Sequence, residues 1–177
     1  QQAALRNNLG GAIFSREMSK EQLVNRLFSL EAHVDAQLLR TGNLKDTDWE
    51  KLIEGAGRIG KSRLVIDDTS GISITEMRSK CRKYKLELGL DLIIIDYLQL
   101  MSGSGGKSNE SRQQEISEIS RSLKGLAREL NVPVIALSQL SRAVEQRTDK
   151  RPMLSDLRES GAIEKEECVC WLIFREG

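Results

Sequence analysis

The sequence is poor in the residues that most often announce a specialised chemistry: it has 3 cysteines, 1 histidine, 2 prolines and 4% aromatic residues over 177 positions. His33 is the single histidine, and no second Cys or His cluster accompanies Cys168 and Cys170, so a four-ligand zinc site lacks its other half. Cys81 falls on an apolar helical stripe, and reduced thiols in a cytoplasmic protein are the expectation. No apolar run approaches the roughly 18 residues that span a bilayer, and no signal-peptide pattern is present, so no membrane partner is expected. Neither sign of charge prevails, with 27 Lys and Arg against 26 Asp and Glu. That balance neither indicates nor excludes nucleic acid, because a protein that grips DNA at a few loops need not be basic overall. What is present, 39% hydrophobic and 30% charged residues, describes an ordinary globular chain long enough to bury one core.

Strand and helix signals alternate along the chain. Gly11–Ser15 (GAIFS) reads as a strand; Ser19 with Gln22 makes a capping box, followed by Leu23, Leu27, Leu30 and Val34 at helical spacing. Thr47 and Glu50 repeat the cap signal before Trp49, Leu52 and Ile53, and Arg63–Asp67 (RLVID) is a second strand. Ser73 and Glu76 open a helix with Ile74, Met77, Cys81, Tyr84 and Leu88 on one side. Asp91–Asp96 (DLIIID) is a third strand, whose unbroken apolar run predicts burial on both faces. Met101–Ser111 is a glycine- and serine-rich loop, and a long helix follows on Ile116, Ile119, Leu123, Leu126 and Leu130. Asn131–Ser138 is a fourth strand, Arg142–Gly161 a charged loop, and Glu167–Phe174 a fifth strand. This order predicts an α/β fold, a parallel sheet flanked by helices on both faces, with ligands at the carboxyl ends of the strands.

Three residues at those strand ends carry candidate chemistry. Asp96 ends a buried strand, where a carboxylate approaches a Mg²⁺ ion bridging terminal phosphates; the same pattern also caps ordinary turns. Glu17 follows the first strand and suits the group that orients and deprotonates an attacking water, or else simply favours a helix N-terminus. Gln139 follows the fourth strand, and its amide can both donate to and accept from a terminal phosphate. Gly55–Ser62 (GAGRIGKS) literally matches the phosphate-cradling GxxxxGK(S/T) loop. That loop needs a strand before it and a helix after it; here a helix enters and a strand leaves, so the match is accidental. The loops Met101–Ser111, with Lys107 and Asn109, and Arg142–Gly161, with Arg142, Arg147, Lys150, Arg151 and Arg158, offer cations and backbone N–H groups to single-stranded DNA. Neither holds an aromatic residue for base stacking, and a solvated charged loop reads the same by composition.

Longer strings are more specific. IIIDYLQLM and RQQEISEISRSLKGLARELNVPVIALSQLSRAVEQRTDKRPMLSDLRESGAIE closely resemble the carboxyl-terminal motor domain of DnaB-type replicative helicases, as do FSREMSKEQLVNRLFSLEAHVDAQLLRTG and IDDTSGISITEMRSKCR. The likeness runs from about Ala12 to Glu164. It implies a RecA-like fold, residues 1–177 forming a single partial motor domain, and a homohexamer around single-stranded DNA that uses ATP and Mg²⁺ to unwind duplex DNA 5′-to-3′. Primase and a helicase loader are implied partners. By the same resemblance Glu17 matches the catalytic glutamate, Asp96 the Mg²⁺-associated aspartate, and Gln139 a catalytic and nucleotide-sensing residue. Arg26 matches an arginine near bound nucleotide, and Arg158, Glu159 and Gly161 match the loop holding the DNA backbone.

The sequence departs from the family in three places. Arg16 stands in FSREM where the family usually has FSLEM, placing a cation beside the glutamate that the resemblance marks as catalytic. The family's phosphate loop and arginine finger are expected upstream of Gln1 and beyond Gly177, so this polypeptide alone is expected to hydrolyse little ATP. The segment EECVCWLIFREG is unlike the family's acidic, aliphatic strand. Two other readings stay open: a different RecA-like ATPase of recombinase or clock type, and a non-enzymatic module that binds DNA or a replication partner.

Overall fold

The computed structural model describes residues 2–15, 17–96, 109–147, 149, 151–153, 156 and 169–173, with backbone alone for 109–116 and 142–143. After a π-type turn at Gln2–Arg6, the order is β1 (Gly10–Ser15), α1 (Lys20–Ala32), α2 (Ala36–Thr41), α3 (Asp46–Gly60), β2 (Leu64–Asp67), α4 (Ile74–Leu88), β3 (Leu90–Asp96), α5 (Asn109–Leu130) and β4 (Val134–Ala136). The four strands form one parallel sheet in the order β2-β1-β3-β4. The expected α/β class and parallel sheet therefore stand.

The main core follows from strand alternation. Ala12 and Phe14 of β1 pair with Ile93 and Ile95 of β3, and in-register residues of parallel strands point to the same face. That face meets Met77 and Cys81 of α4 and Ile119, Leu123 and Leu126 of α5, all buried. With Ile74, Tyr84 and Leu130 packed against it, most of the predicted stripes are used; Leu88 is not in the cluster, and the Ile116 side chain lies outside the described residues. Arg78 and Arg82 of α4 both grip Glu129 of α5 outside this core. On β3 the apolar run is not buried on both faces as expected. Ile93 and Ile95 are buried, whereas Leu92 and Ile94 are only half-buried, so the burial alternates.

A second, smaller cluster joins α1, α2 and α3 through Ala32, Val34 and Leu52, with Phe28, Leu39 and Leu44 against it. Here periodicity misassigned several positions. Helix α1 stops at Ala32 because His33 turns left-handed (φ 53°), and Val34 reaches the cluster from outside the helix. Ser29 closes that turn, its hydroxyl donating to the Val34 carbonyl at 2.6 Å. Leu30, expected inside, is 57% exposed, while the carboxylate of Glu31 is fully buried. Its charge is compensated by Arg58 Nε at 2.5 Å and by Arg6 at 3.6 Å. Helix α3 begins two residues early, with Lys45 rather than Thr47 at its N-cap, and exposes Trp49 and Ile53 while burying Leu52. Helix α2, which periodicity did not suggest, is nucleated by Asp35, whose carboxylate accepts from the Gln37 N–H at 2.6 Å.

β4 is shorter than the Asn131–Ser138 segment expected. Residues 169–173, part of the predicted fifth strand Glu167–Phe174, belong to no strand and leave Val169, Trp171 and Ile173 exposed. They border a cavity of about 380 Å³ with Leu123 of α5 and the β4 region, so they approach β4 without the ladder hydrogen bonds that define a strand.

Candidate functional site

Sheet connectivity selects one place on the molecule. The chain leaving β1 returns through α1–α3 to β2 on one side, whereas the chain leaving β3 returns through α5 to β4 on the other. The connections therefore diverge between β1 and β3, opening a crevice at the carboxyl ends of those two strands. The residues at its lip are Ser15 and Asp96, which are paired in register.

Glu17 and Asp96 are accordingly brought to the same rim, from adjacent strands. Ser15 is buried and Asp96 half-buried, while Glu17, in the turn that follows, is exposed. The Met18 N–H donates to Ser15 Oγ at 3.4 Å, folding the turn back onto the strand. On the far side of β3, the Leu137 N–H donates to the Ile95 carbonyl at 2.9 Å, so β4 reaches the same edge. Gln139 follows two residues later, exposed. Arg26 lies six residues into α1 and is exposed. Arg16, and the DNA-loop residues Arg158, Glu159 and Gly161, lie outside the described residues.

The rim offers hard oxygen donors of the kind that suit a Mg²⁺–phosphate group: the Asp96 and Glu17 carboxylates and the Ser15 hydroxyl. At the start of α1 several backbone N–H groups are already engaged and so are not available to cradle a phosphate. The N-terminus of α1 is satisfied by the chain itself: Ser19 and Gln22 cap each other (3.1 and 3.3 Å), and the Lys20 N–H donates to Asp68 Oδ2 at 3.0 Å. GAGRIGKS does not supply the cradle. Its Gly55–Gly60 portion is helical, Lys61 is the C-cap of α3, and the Ser62 hydroxyl donates to the Ile59 carbonyl at 2.7 Å. The segment enters β2, so it lies at the amino edge of the sheet, opposite the crevice. A Cβ at Gly55 would make only ordinary contact with the Ala32 side chain, at 3.5 Å, so this glycine is required neither by packing nor by a phosphate. The rim thus fits the hydrolytic side of a nucleotide site and not its phosphate-binding loop.

Sequence reasoning missed one cluster on this edge. Asp67, the last residue of β2, accepts from Lys80 Nζ at 2.8 Å, from the Thr69 N–H at 3.0 Å and from the Tyr84 hydroxyl at 3.4 Å. Burial pushes the Asp67 carboxyl up, but the Lys80 ammonium and the two donors of Thr69 outweigh it and hold it below the usual range. The signal was available in IDDT, where two carboxylates end a strand as one does in IIID. Nearby, burial together with the Asp67 charge pushes the Cys81 thiol up to about 12, which makes it an inert core residue. In the charged loop, Arg147 forms a bidentate pair with the buried Asp156 carboxylate, so this cation holds the loop together rather than standing open to phosphate.

Comparison with known proteins gives a consistent result. The family model described as "DnaB-like helicase C terminal domain" matches residues 1–177. The chain is 56% identical over 176 residues to the replicative DNA helicase DnaC of Bacillus subtilis, covering 99% of this chain and 38% of that protein. Identity and coverage are the same for the replicative DNA helicase DnaB of Geobacillus stearothermophilus. A solved DnaB-like replicative helicase, described with its interactions with primase, superposes with a TM-score of 0.82 at 45% identity, over 90% of this chain and 39% of that one. The chain therefore spans less than half the length of these relatives.

Proposed function

The chain belongs to the DnaB-like helicase C-terminal domain family, and from that premise we propose that it is the motor portion of an ATP-dependent replicative DNA helicase. The reading extends to a homohexameric ring around single-stranded DNA, moving 5′-to-3′ in the cytoplasm, with primase and a loader as partners. What carries it is the pairing of Ser15 with Asp96 where the strand connections diverge, which puts a carboxylate and the Glu17 turn at one crevice. The relatives' shared name as replicative helicases favours unwinding over the strand pairing of a recombinase.

In this proposal Glu17, exposed and beside the crevice, orients a water and takes its proton. Asp96 holds the cation side of the site from the half-buried end of β3. ATP–Mg²⁺, when bound, supplies the γ-phosphoryl group and the metal that neutralises its charge. Among the described residues no group of three or more His, Cys, Asp or Glu forms a cation cage, so Asp96 would share the metal with phosphate oxygens. Gln139, one strand over, senses the terminal phosphate and passes its loss to the following loop, where Arg158, Glu159 and Gly161 hold the DNA backbone. Arg26 contributes a cation to the nucleotide from α1.

The test is E17Q in the full-length protein. Turnover of ATP on single-stranded DNA should fall by roughly 10²–10⁴-fold, the usual contribution of a positioned general base, while nucleotide binding is kept. Unchanged turnover would remove Glu17 from this role.

A further inference from the structure

We propose that Asp68 is a positioning residue for Glu17, a role that rests on the reading of Glu17 as the group that activates water. Glu17 lies in a four-residue turn between the end of β1 and the start of α1. At its β1 end the turn is held by the buried Ser15, whose hydroxyl accepts from the Met18 N–H. At its α1 end the reciprocal caps of Ser19 and Gln22 stabilise the helix start internally but leave its location relative to the sheet undetermined. One contact ties the first residue of the helix directly to the exit of β2: the Lys20 N–H donates to Asp68 Oδ2 at 3.0 Å, across 48 residues of sequence.

The backbone on both sides of the acceptor is tied to α4. Asp68 immediately follows Asp67, which is clamped by Lys80 and Tyr84 of α4, and Lys80 Nζ also donates to Thr69 Oγ1 at 2.9 Å on the other side of Asp68. A continuous line of polar contacts therefore runs from α4 through the exit of β2 to the first residue of α1, three positions from Glu17. The Asp68 carboxylate adds a favourable charge at the positive end of the α1 dipole, which strengthens the bond it makes. Because the Lys20–Asp68 bond is exposed, it contributes little to global stability. Its consequence is geometric: without it the Glu17 turn keeps its anchor at Ser15 but loses the one at its helix end.

The experiment compares D68A, D68N and E17Q in the full-length protein, measuring kcat and KM for ATP with single-stranded DNA. D68A should lower kcat by about 5- to 100-fold, the range expected for a displaced catalytic group, with KM changed less than twofold. D68N keeps an oxygen acceptor for the Lys20 N–H and should recover most of the loss, which a general loss of folding would not allow. If D68A does not fold, D68S serves the same comparison, since its hydroxyl is too short to reach Lys20. An unaltered kcat in D68A, or a loss in D68N equal to that in D68A, overturns the proposal while leaving Glu17 in place. If E17Q turns over normally, the underlying reading fails instead, whatever Asp68 does.

Discussion

Two adjacent glycines at the start of β1 should respond very differently to the same added methyl group. A Cβ on Gly10 would sit 2.5 Å from the Gly89 carbonyl oxygen, 3.0 Å from its carbon and 3.1 Å from the Leu88 oxygen, all backbone atoms. Gly89 is the left-handed C-cap of α4 (φ 64°), and the Leu88 carbonyl is already held by Arg63 at 2.9 Å, so neither segment gives way freely. The Gly10 N–H is also committed, donating to Asp91 Oδ2 at 2.8 Å. Overpacking of this kind costs about 1–3 kcal/mol, and disturbing hydrogen bonds to charged groups adds about 1 kcal/mol or more. G10A is therefore expected to lose about 2–4 kcal/mol. On Gly11 the added Cβ meets only Leu64 Cδ1 at 3.1 Å, a terminal methyl that can rotate aside. Its small cost is offset by about 0.4–1 kcal/mol from restricting the unfolded chain, leaving G11A near neutral. Urea unfolding followed by circular dichroism, with a slope of roughly 2 kcal/mol per molar, should show the midpoint of G10A lowered by about 1–2 M and that of G11A moved by under about 0.5 M. Equal shifts for the two variants, or an unchanged G10A, would refute the reasoning.

Two further outcomes follow from the same geometry. K61A should leave nucleotide affinity and ATP turnover of the full-length protein within twofold of wild type, because Lys61 ends a helix at the amino edge of the sheet; loss of Mg²⁺–ATP binding, measured by calorimetry, would restore GAGRIGKS as a phosphate loop. R58M strips the buried Glu31 carboxylate of its 2.5 Å partner and should lower the urea midpoint, whereas E31M/R58M, which removes both charges, should recover much of the loss. A double variant less stable than R58M would refute the view that the unpaired charge, rather than lost packing, is the cost.

The amphipathic elements with strong local signals were legible. Ser73 capping α4, with Met77 and Cys81 one turn apart on its buried side, is written in the residues, as is the Ser19–Gln22 box. The small cluster was less so. Leu30, Trp49 and Ile53 are apolar and helical yet exposed, while Glu31 is buried, because the contact face of α1 and α3 is set by where their partners lie and by Arg58. Periodicity reads one helix at a time and cannot register a charge neutralised from another. The Asp67–Lys80 contact was invisible for a similar reason: it joins a strand end to a helix 13 residues on. The fifth strand illustrates the opposite failure, since residues 169–173 have strand-like composition without forming strand pairing.

The sequence by itself determined the family, the alternation of strands and helices, and which side chains are chemically able to act, because these depend on local pattern and on long strings that resemble other proteins. It also determined that GAGRIGKS stands in the wrong context, since that depends only on what precedes and follows it. The tertiary structure decided the strand order β2-β1-β3-β4, and with it the crevice between β1 and β3 that draws Asp96 to Ser15 and Glu17. Residues 81 positions apart in the chain meet there because parallel strands bring their carboxyl ends to one edge, and no local preference encodes which strands become neighbours.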